Sequence, residues 1–271
     1  MGETDKKKGV SSGVSAKCSE KYVEKSGGKH RGKLALGIIL MMLWVAVSVI
    51  GSQVVVGWLM IAVMGAETFS QPVPTAVYSA LSYCLAMILV IAVPTRLSAK
   101  WKVSRQDLGL HGWPTWTDIG LAPVGYIVYV ILAAGIVWVF SLFPWFDAAE
   151  VQDVGFSYYV SGLDRVVAFL TLVVVAPIAE EIIFRGWLYG KMREKLNVAY
   201  SNVVSMIISS LLVSVLFGLV HMQWNVGVNV FALSLILCGL REITGTIYAG
   251  ILLHMVKNGV AFVLLYVVGV G

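Results

Sequence analysis

The sequence has little charge and little cysteine, and both shortages narrow what the protein can be. Only 13% of its 271 residues are charged, while 58% are hydrophobic. A soluble globular protein carries about 25% charged residues, so a soluble helical bundle with a charged outer face is excluded. The three cysteines are scattered and form no CxxC pair. A disulfide or zinc framework is therefore not expected.

The sequence contains long uncharged, apolar runs, and several exceed the roughly 20 residues that span a bilayer. They predict an all-α, polytopic integral membrane bundle of seven to eight transmembrane helices. A break of the first span near Gly51 would give the eighth, and the sixth span is short. The expected spans are Leu34–Gly65, Ala76–Val93, Ile119–Phe143, Asp164–Tyr189, Asn202–Met222, Val226–Leu240 and Gly245–Val268.

The formal charge of +5 belongs to the N-terminal tail. Residues 1–33 hold nine Lys and Arg against four Asp and Glu, and the rest of the chain is balanced. The tail is rich in Lys, Ser and Gly, a composition that predicts disorder. Its positive charge predicts a cytoplasmic N-terminus that can lie on anionic lipid. Nucleic-acid binding is not expected, because no folded basic module follows.

Two adjacent carboxylates, Glu180 and Glu181, lie in an otherwise apolar stretch. Intramembrane ionisable groups are functional candidates because they cost roughly 2.5–3.5 kcal/mol at the bilayer centre on insertion scales. On a helix, Glu181 and Arg185 are i,i+4 neighbours in the order that favours an ion pair. Glu180 is rotated by about 100° from Glu181. The spacing predicts a structural Glu181–Arg185 pair and a separate role for Glu180.

Two histidines fall in the same apolar half of the chain. His221 follows Phe217 by four residues at the end of the fifth span, and His254 precedes Asn258 by four residues in the last span. Residues four apart lie on one face of a helix. Taken singly, such polar groups also join membrane helices through hydrogen bonds.

Glu180, His221, His254 and Asn258 together suit peptide hydrolysis without a Ser or Cys nucleophile. A carboxylate in an apolar pocket can act as general base to water, and a histidine can share that water or protonate the leaving amine. The N–H groups of His and Asn can stabilise an oxyanion. A zinc ligand set of Glu180, His221 and His254 uses the same atoms, although HExxH is absent. Spacing alone leaves both chemistries open.

The three clusters resemble the EExxxR, FxxxH and HxxxN/D motifs of the CPBP family of intramembrane proteases. This family comprises CAAX proteases and bacteriocin-processing enzymes, and the present chain resembles its Rce1-like members. Three further features are typical of it, namely Gly186, Asp107-Leu-Gly-Leu110 and Gly245-Thr-Ile-Tyr248. The resemblance covers roughly residues 105–260.

The resemblance implies an eight-helix type of membrane fold and cleavage of peptide bonds in membrane-associated proteins or peptides. It implies that Glu180 and His221 activate water and that His254 and Asn258 form the oxyanion site. Supporting roles fall to Glu181, Arg185 and Phe217. No cofactor is expected, and zinc held by the ligand set named above is the alternative.

The resulting domain prediction is a tail at 1–33, N-terminal transmembrane helices at 34–104 and a protease core at 105–271. The chain is expected to cross the cell membrane several times, with the bilayer and a membrane-associated substrate as its partners. Two non-proteolytic functions stay open. The polar residues could line a transporter or proton path, or the protein could be an immunity or regulatory partner.

Overall fold

Seven long helices form the fold in the computed structural model, which describes residues 12–150 and 162–269, with side chains from residue 32 onward. Within these ranges all regular secondary structure is helical, and seven helices are long and apolar enough to cross a membrane. The predicted class, an all-α polytopic membrane bundle, is confirmed. The helices are α1 (Ser12–Met64), α2 (Pro72–Leu97), α3 (Trp116–Phe140), α4 (Gly162–Leu196), α5 (Asn202–Leu219), α6 (Trp224–Thr244) and α7 (Tyr248–Val268).

The chain divides into two units, Met1–Leu40 and Met41–Gly271, and the candidate site lies entirely in the second. Helix begins at Ser12, whereas composition predicts disorder over residues 1–33. The Ala, Lys and Glu residues between positions 16 and 25 have high helix propensity, which accounts for the difference. Residues 1–11 and 151–161 lie outside the described residues. The predicted division into a tail, N-terminal helices and a protease core stays a prediction.

Two expectations about helix bounds are wrong. The first span is not broken at Gly51, because α1 runs through that residue without interruption. The sixth span is not short, because α6 continues past Leu240 to Thr244. Its charged end is accommodated by the protein, since Glu242 accepts hydrogen bonds from Tyr189 and Arg193 at 2.8 and 2.7 Å. The helix then ends at Gly245, whose φ of 71° requires the left-handed backbone that glycine adopts readily.

Small residues let the last helices pack closely. A Cβ on Gly218 of α5 would lie 2.8 Å from the carbonyl oxygen of Gly227 of α6. A Cβ on Gly125 of α3 would collide with Leu253 of α7. Membrane helices associate through such close contacts because lipid supplies no hydrophobic drive between them. These contacts join α5 to α6 and α3 to α7.

Helix α4 has two π-helical stretches, Leu170–Val175 and Ile182–Tyr189, on either side of the glutamate pair. Pro177 lies between them, and a proline inside a helix has no N–H for the carbonyl four residues earlier. Wider turns of this kind occur frequently at functional sites. The backbone of α4 is therefore irregular where Glu180 and Glu181 project from it.

The loop between α2 and α3 docks on the ends of α4, α6 and α7. The amide of Ile247 donates to Gly109 O at 3.1 Å, and Arg241 Nη2 donates to Asp107 O at 3.1 Å. A Cβ on Gly186 would lie 3.1 Å from the carbonyl oxygen of Leu108. The three accessory sequence features near residues 107, 186 and 245 therefore meet at one contact, which lies against the C-terminal half of α4.

Candidate active site

One cavity of about 180 Å³ brings the four candidate catalytic residues together. Helices α2, α4, α6 and α7 and the turn after α5 contribute its walls. The polar side chains that line it include Tyr83, Glu180, His221, His254, Lys257 and Asn258. The sequence places these residues as far as 175 positions apart in the chain, so the cavity exists only through helix packing.

The length of α4 explains how Glu180 and His221 come to the same depth. Sixteen residues separate Glu180 from the end of α4 at Leu196, which is about 24 Å of helix at 1.5 Å per residue. The chain then reverses, and the 18 residues of α5 span about 27 Å in the other direction. His221, just beyond α5, therefore returns to the level of Glu180.

The carboxylate of Glu180 faces the cavity and is held at one oxygen. Tyr83 Oη donates to Glu180 Oε1 at 2.8 Å. Glu180 Oε2 lies 3.7 Å from His254 Nε2, and 16% of the Glu180 side chain is exposed. One oxygen is thus fixed by α2, while the other is turned toward a histidine and open space.

Glu181 is fully buried and has two partners. Arg185 Nη1 donates to Glu181 Oε1 at 2.8 Å, and His254 Nδ1 lies 3.1 Å from the same oxygen. The pair with Arg185 agrees with the spacing in the sequence, whereas the contact with His254 was not expected. Its other oxygen has little room, because a Cβ on Gly250 would lie 3.1 Å from Glu181 Oε2. Glu181 therefore positions His254 as well as pairing with Arg185.

The contact with Glu181 determines the tautomer of neutral His254. A carboxylate only accepts hydrogen bonds, so Nδ1 of His254 carries the proton that points at Glu181 Oε1. Nε2 then presents a lone pair toward Glu180 and the cavity. When His254 carries both ring protons, Nε2 becomes a donor at that position. Nδ1 of His254 is therefore bound to Glu181, whereas Nε2 faces the cavity.

His221 is arranged in the same way on the other side of the cavity. Its Nδ1 lies 2.7 Å from Phe217 O, and because a carbonyl oxygen only accepts, Nε2 is left without that proton. The next residue, Met222, has a φ of 58°, which turns the chain sharply into α6.

Phe217 packs against both histidines, and Asn258 is hydrogen-bonded to α4. The ring of Phe217 lies edge-on to His221 and His254, with centroids 5.0 and 6.0 Å apart, and Arg185 Cζ lies 4.3 Å above the same ring. Asn258 Nδ2 donates to Leu172 O at 2.8 Å in the first π-helical stretch of α4. One amide N–H of Asn258 is therefore used by the fold, and one is left over.

Three polar residues of the lining, Tyr83, Lys257 and Tyr266, were given no role from the sequence. Tyr83 is one of several tyrosines in apolar helices, and no sequence signal distinguishes it before α2 is packed against α4. Lys257 has a signal that could have been used. A lysine within a 21-residue apolar span is as unusual as an intramembrane glutamate.

The described residues show no group of three or more His, Cys, Asp or Glu side chains that could hold a metal ion. The zinc ligand set of Glu180, His221 and His254 is thus not assembled as one coordination site in this geometry. The absence of a cofactor stays a prediction.

The fold and this cavity define a polytopic membrane protein with a glutamate, two histidines and an asparagine around one pocket. Residues 162–260, which include all three motifs, match the family of type II CAAX prenyl endopeptidases, Rce1-like. This match confirms the resemblance inferred from the motifs. Neither curated proteins nor solved structures gave a match to the chain.

The match over residues 162–260 indicates a hydrolase of the CAAX endopeptidase type. The seven apolar helices make the chain an integral membrane protein. The family and the helices together indicate a bilayer environment and membrane-associated substrates.

Proposed function

We propose that the protein is an intramembrane endopeptidase in which Glu180 is the general base. The observation that supports this most strongly is the convergence of Glu180, His221, His254 and Asn258 on one cavity. Tyr83 holds Oε1 of Glu180, so Oε2 is the oxygen that faces a bound water. The free Nε2 of His221 accepts a hydrogen bond from the same water and orients it.

Hydrolysis then follows from the positions of these groups. Glu180 takes a proton from water, and the resulting hydroxide attacks the carbonyl carbon of the peptide. The oxyanion that forms accepts hydrogen bonds from the remaining N–H of Asn258 and from Nε2–H of doubly protonated His254. Glu180 gives its proton to the leaving nitrogen as the C–N bond breaks, which yields a carboxylic acid and an amine.

Glu181, Arg185 and Phe217 act on this reaction through His254. Glu181 accepts from His254 Nδ1 and Arg185 Nη1, so the ring of His254 has one preferred orientation. A donor held in advance stabilises a developing oxyanion more effectively than one that must reorient. This arrangement supports a positioning role for the three residues.

The proposed location is the cell membrane with the N-terminus in the cytoplasm. The basic tail and the positive loops around residues 96–105 and 191–195 would then lie on one side of the bilayer, as the positive-inside rule requires. With seven crossings, the C-terminus would lie on the opposite side.

The test is cleavage of an internally quenched, farnesylated CAAX peptide by the purified full chain in liposomes. We expect Glu180→Gln to lower kcat/KM by about 10²–10⁴, the contribution of general base catalysis. Glu67→Gln, which changes an exposed glutamate far along the chain, is the matched control. We also expect the wild type to keep its activity in EDTA. Unchanged cleavage by Glu180→Gln would refute the proposed role.

A further inference from the structure

A cavity that the proposed reaction does not use lies between α4, α6 and the loop that joins α2 to α3. Its volume is about 470 Å³. Three basic and three acidic side chains line it, namely Lys191, Arg193, Arg241, Asp107, Glu194 and Glu242. Among the described residues, none lines both this cavity and the catalytic one. The chain therefore has a charged cavity that is separate from the catalytic site.

Two of the carboxylates in this cavity are already bound by donors of the protein. Arg193 donates to Glu242 through both Nε and Nη2, at 2.7 and 3.0 Å. Asp107 Oδ2 accepts hydrogen bonds from the amide and the hydroxyl of Ser104 at 2.7 and 2.8 Å. Neither carboxylate therefore depends on Arg241 for a hydrogen bond.

Arg241 has donors that the protein does not use. Its Nη2 donates to Asp107 O at 3.1 Å, and among the described residues this is its only hydrogen bond. A guanidinium has five N–H groups, so four are left for a ligand. The guanidinium lies directly on the loop, because a Cβ on Gly109 would be 2.7 Å from Arg241 Cζ. A glycine at position 109 is therefore what lets the loop hold this cation at the cavity.

Lys191 supplies a second cation beside Asp107. Only 9% of its side chain is exposed, and its Nζ donates at 2.7 Å to Glu194, whose side chain is 65% exposed. Its ammonium is also close enough to Asp107 to interact with that carboxylate electrostatically. An ammonium has three N–H groups, so two are left. Lys191 and Arg241 thus both present unused donors next to the same loop residue.

The position of the cavity along α4 corresponds to the level of lipid head groups. The 35 residues of α4 span about 52 Å, which exceeds the roughly 30 Å of the hydrocarbon core. Lys191 lies about 16 Å beyond Glu180 toward the end of this helix. Trp101 stacks on Trp187 at 5.9 Å between ring centroids, and tryptophan is enriched at membrane interfaces. Basic pockets between helices at this level bind lipid head groups.

We propose that this cavity binds a phosphate group, supplied by the head group of a membrane phospholipid, with Arg241 and Lys191 as its donors. The planar fork of an arginine matches two phosphate oxygens, and a lysine adds a compact charge. This site is independent of the proposed peptidase reaction. In the alternative role, Arg241 only holds the loop through Asp107 O and is balanced by Glu242 at longer range.

The experiment compares dioctanoyl phosphatidylglycerol with dioctanoylglycerol, which has the same acyl chains and no phosphate. Native mass spectrometry of the delipidated full chain in detergent measures Kd for each lipid. We expect the wild type to bind the phospholipid at least tenfold more tightly, and Arg241→Gln and Lys191→Gln each to raise its Kd about tenfold or more. Arg105→Gln and Lys102→Gln make the same charge changes at exposed positions of the loop, and both should keep the wild-type Kd.

Equal Kd values for the two lipids in the wild type would overturn the inference. A lower Tm of Arg241→Gln with an unchanged Kd would assign Arg241 to the loop alone and would overturn it as well. Where Arg241→Gln does not fold, an unchanged Kd in Lys191→Gln has the same meaning. Inorganic phosphate is added as a competitor and should not displace the lipid. Displacement at equal concentration would overturn the head-group assignment and make free phosphate the ligand.

Discussion

The most informative substitution outside the reacting groups is Gly250→Ala in α7. The new Cβ would lie 3.1 Å from Glu181 Oε2 and 3.5 Å from Leu237 Cδ2. Glu181 is fully buried and its other oxygen contacts both Arg185 and His254. Relief of the contact therefore has to move a carboxylate on which the orientation of His254 depends.

The size of the effect follows from this distance. An ordinary contact begins at 3.4 Å, so the carboxylate must move by about 0.3 Å. A misplacement of 1 Å can cost about 10²-fold in rate, and scaling its logarithm gives a roughly fourfold fall in kcat. Overpacking of a core costs about 1–3 kcal/mol of stability, while replacing glycine by alanine in a helix returns about 0.8–1 kcal/mol.

Gly259→Ala is the matched control, because it changes a glycine of the same helix where the new Cβ meets only Val173 Cγ1 at 3.7 Å. The assays are kcat with the quenched CAAX peptide and thermal unfolding in detergent. We expect Gly250→Ala to have the lower kcat and a Tm about 2–12 °C below that of the control, at 2–4 °C per kcal/mol. Equal kcat and Tm in the two variants would refute the claim that tight packing positions Glu181.

Two further substitutions test the partners of the glutamates. Tyr83→Phe removes the 2.8 Å hydrogen bond to Glu180, and because a bond to a charged group contributes about 1.5–3 kcal/mol, kcat should fall about 10–100-fold with KM unchanged. Tyr78→Phe, earlier in α2, is its control. A change in KM with kcat unchanged in Tyr83→Phe would contradict the positioning role. Arg185→Met leaves the carboxylate of Glu181 buried without its cation, which costs about 3–5 kcal/mol, so Tm should fall by about 6–20 °C. Arg105→Met at an exposed position should leave Tm unchanged, whereas a Tm for Arg185→Met within 2 °C of the wild type would contradict the calculation.

Much of the helical architecture was predictable because membrane spans are long and apolar. Every one of the seven expected spans overlaps a helix. The end of α6 was missed, because Arg241 and Glu242 look like the end of an apolar run. In the folded protein their charges are met by Asp107 O, Tyr189 and Arg193. These partners come from distant parts of the chain, so no local pattern reveals them.

The contacts of the candidate site also divide into those within one helix, which were predictable, and those between helices, which were not. The i,i+4 pair of Glu181 and Arg185 was predictable because both residues lie on one helix. The contact between Glu181 and His254 joins α4 to α7 across 73 positions, and that between Tyr83 and Glu180 joins α2 to α4 across 97. Such contacts depend on helix rotation and depth, which periodicity does not specify.

In the proposed reaction, the mid-helix position of Glu180 would also restrict which substrates can be cleaved. About 24 Å of helix separates it from the α4–α5 turn, so the bond that is cut has to be presented deep within the bundle. A peptide that crosses lipid as a regular helix keeps its carbonyls hydrogen-bonded within itself, and such carbonyls are shielded from attack. In the proposed reaction, the depth of the pocket would therefore select substrates by local helix stability: chain ends and unwound segments would be cleaved, and intact membrane helices would not, whatever their sequence.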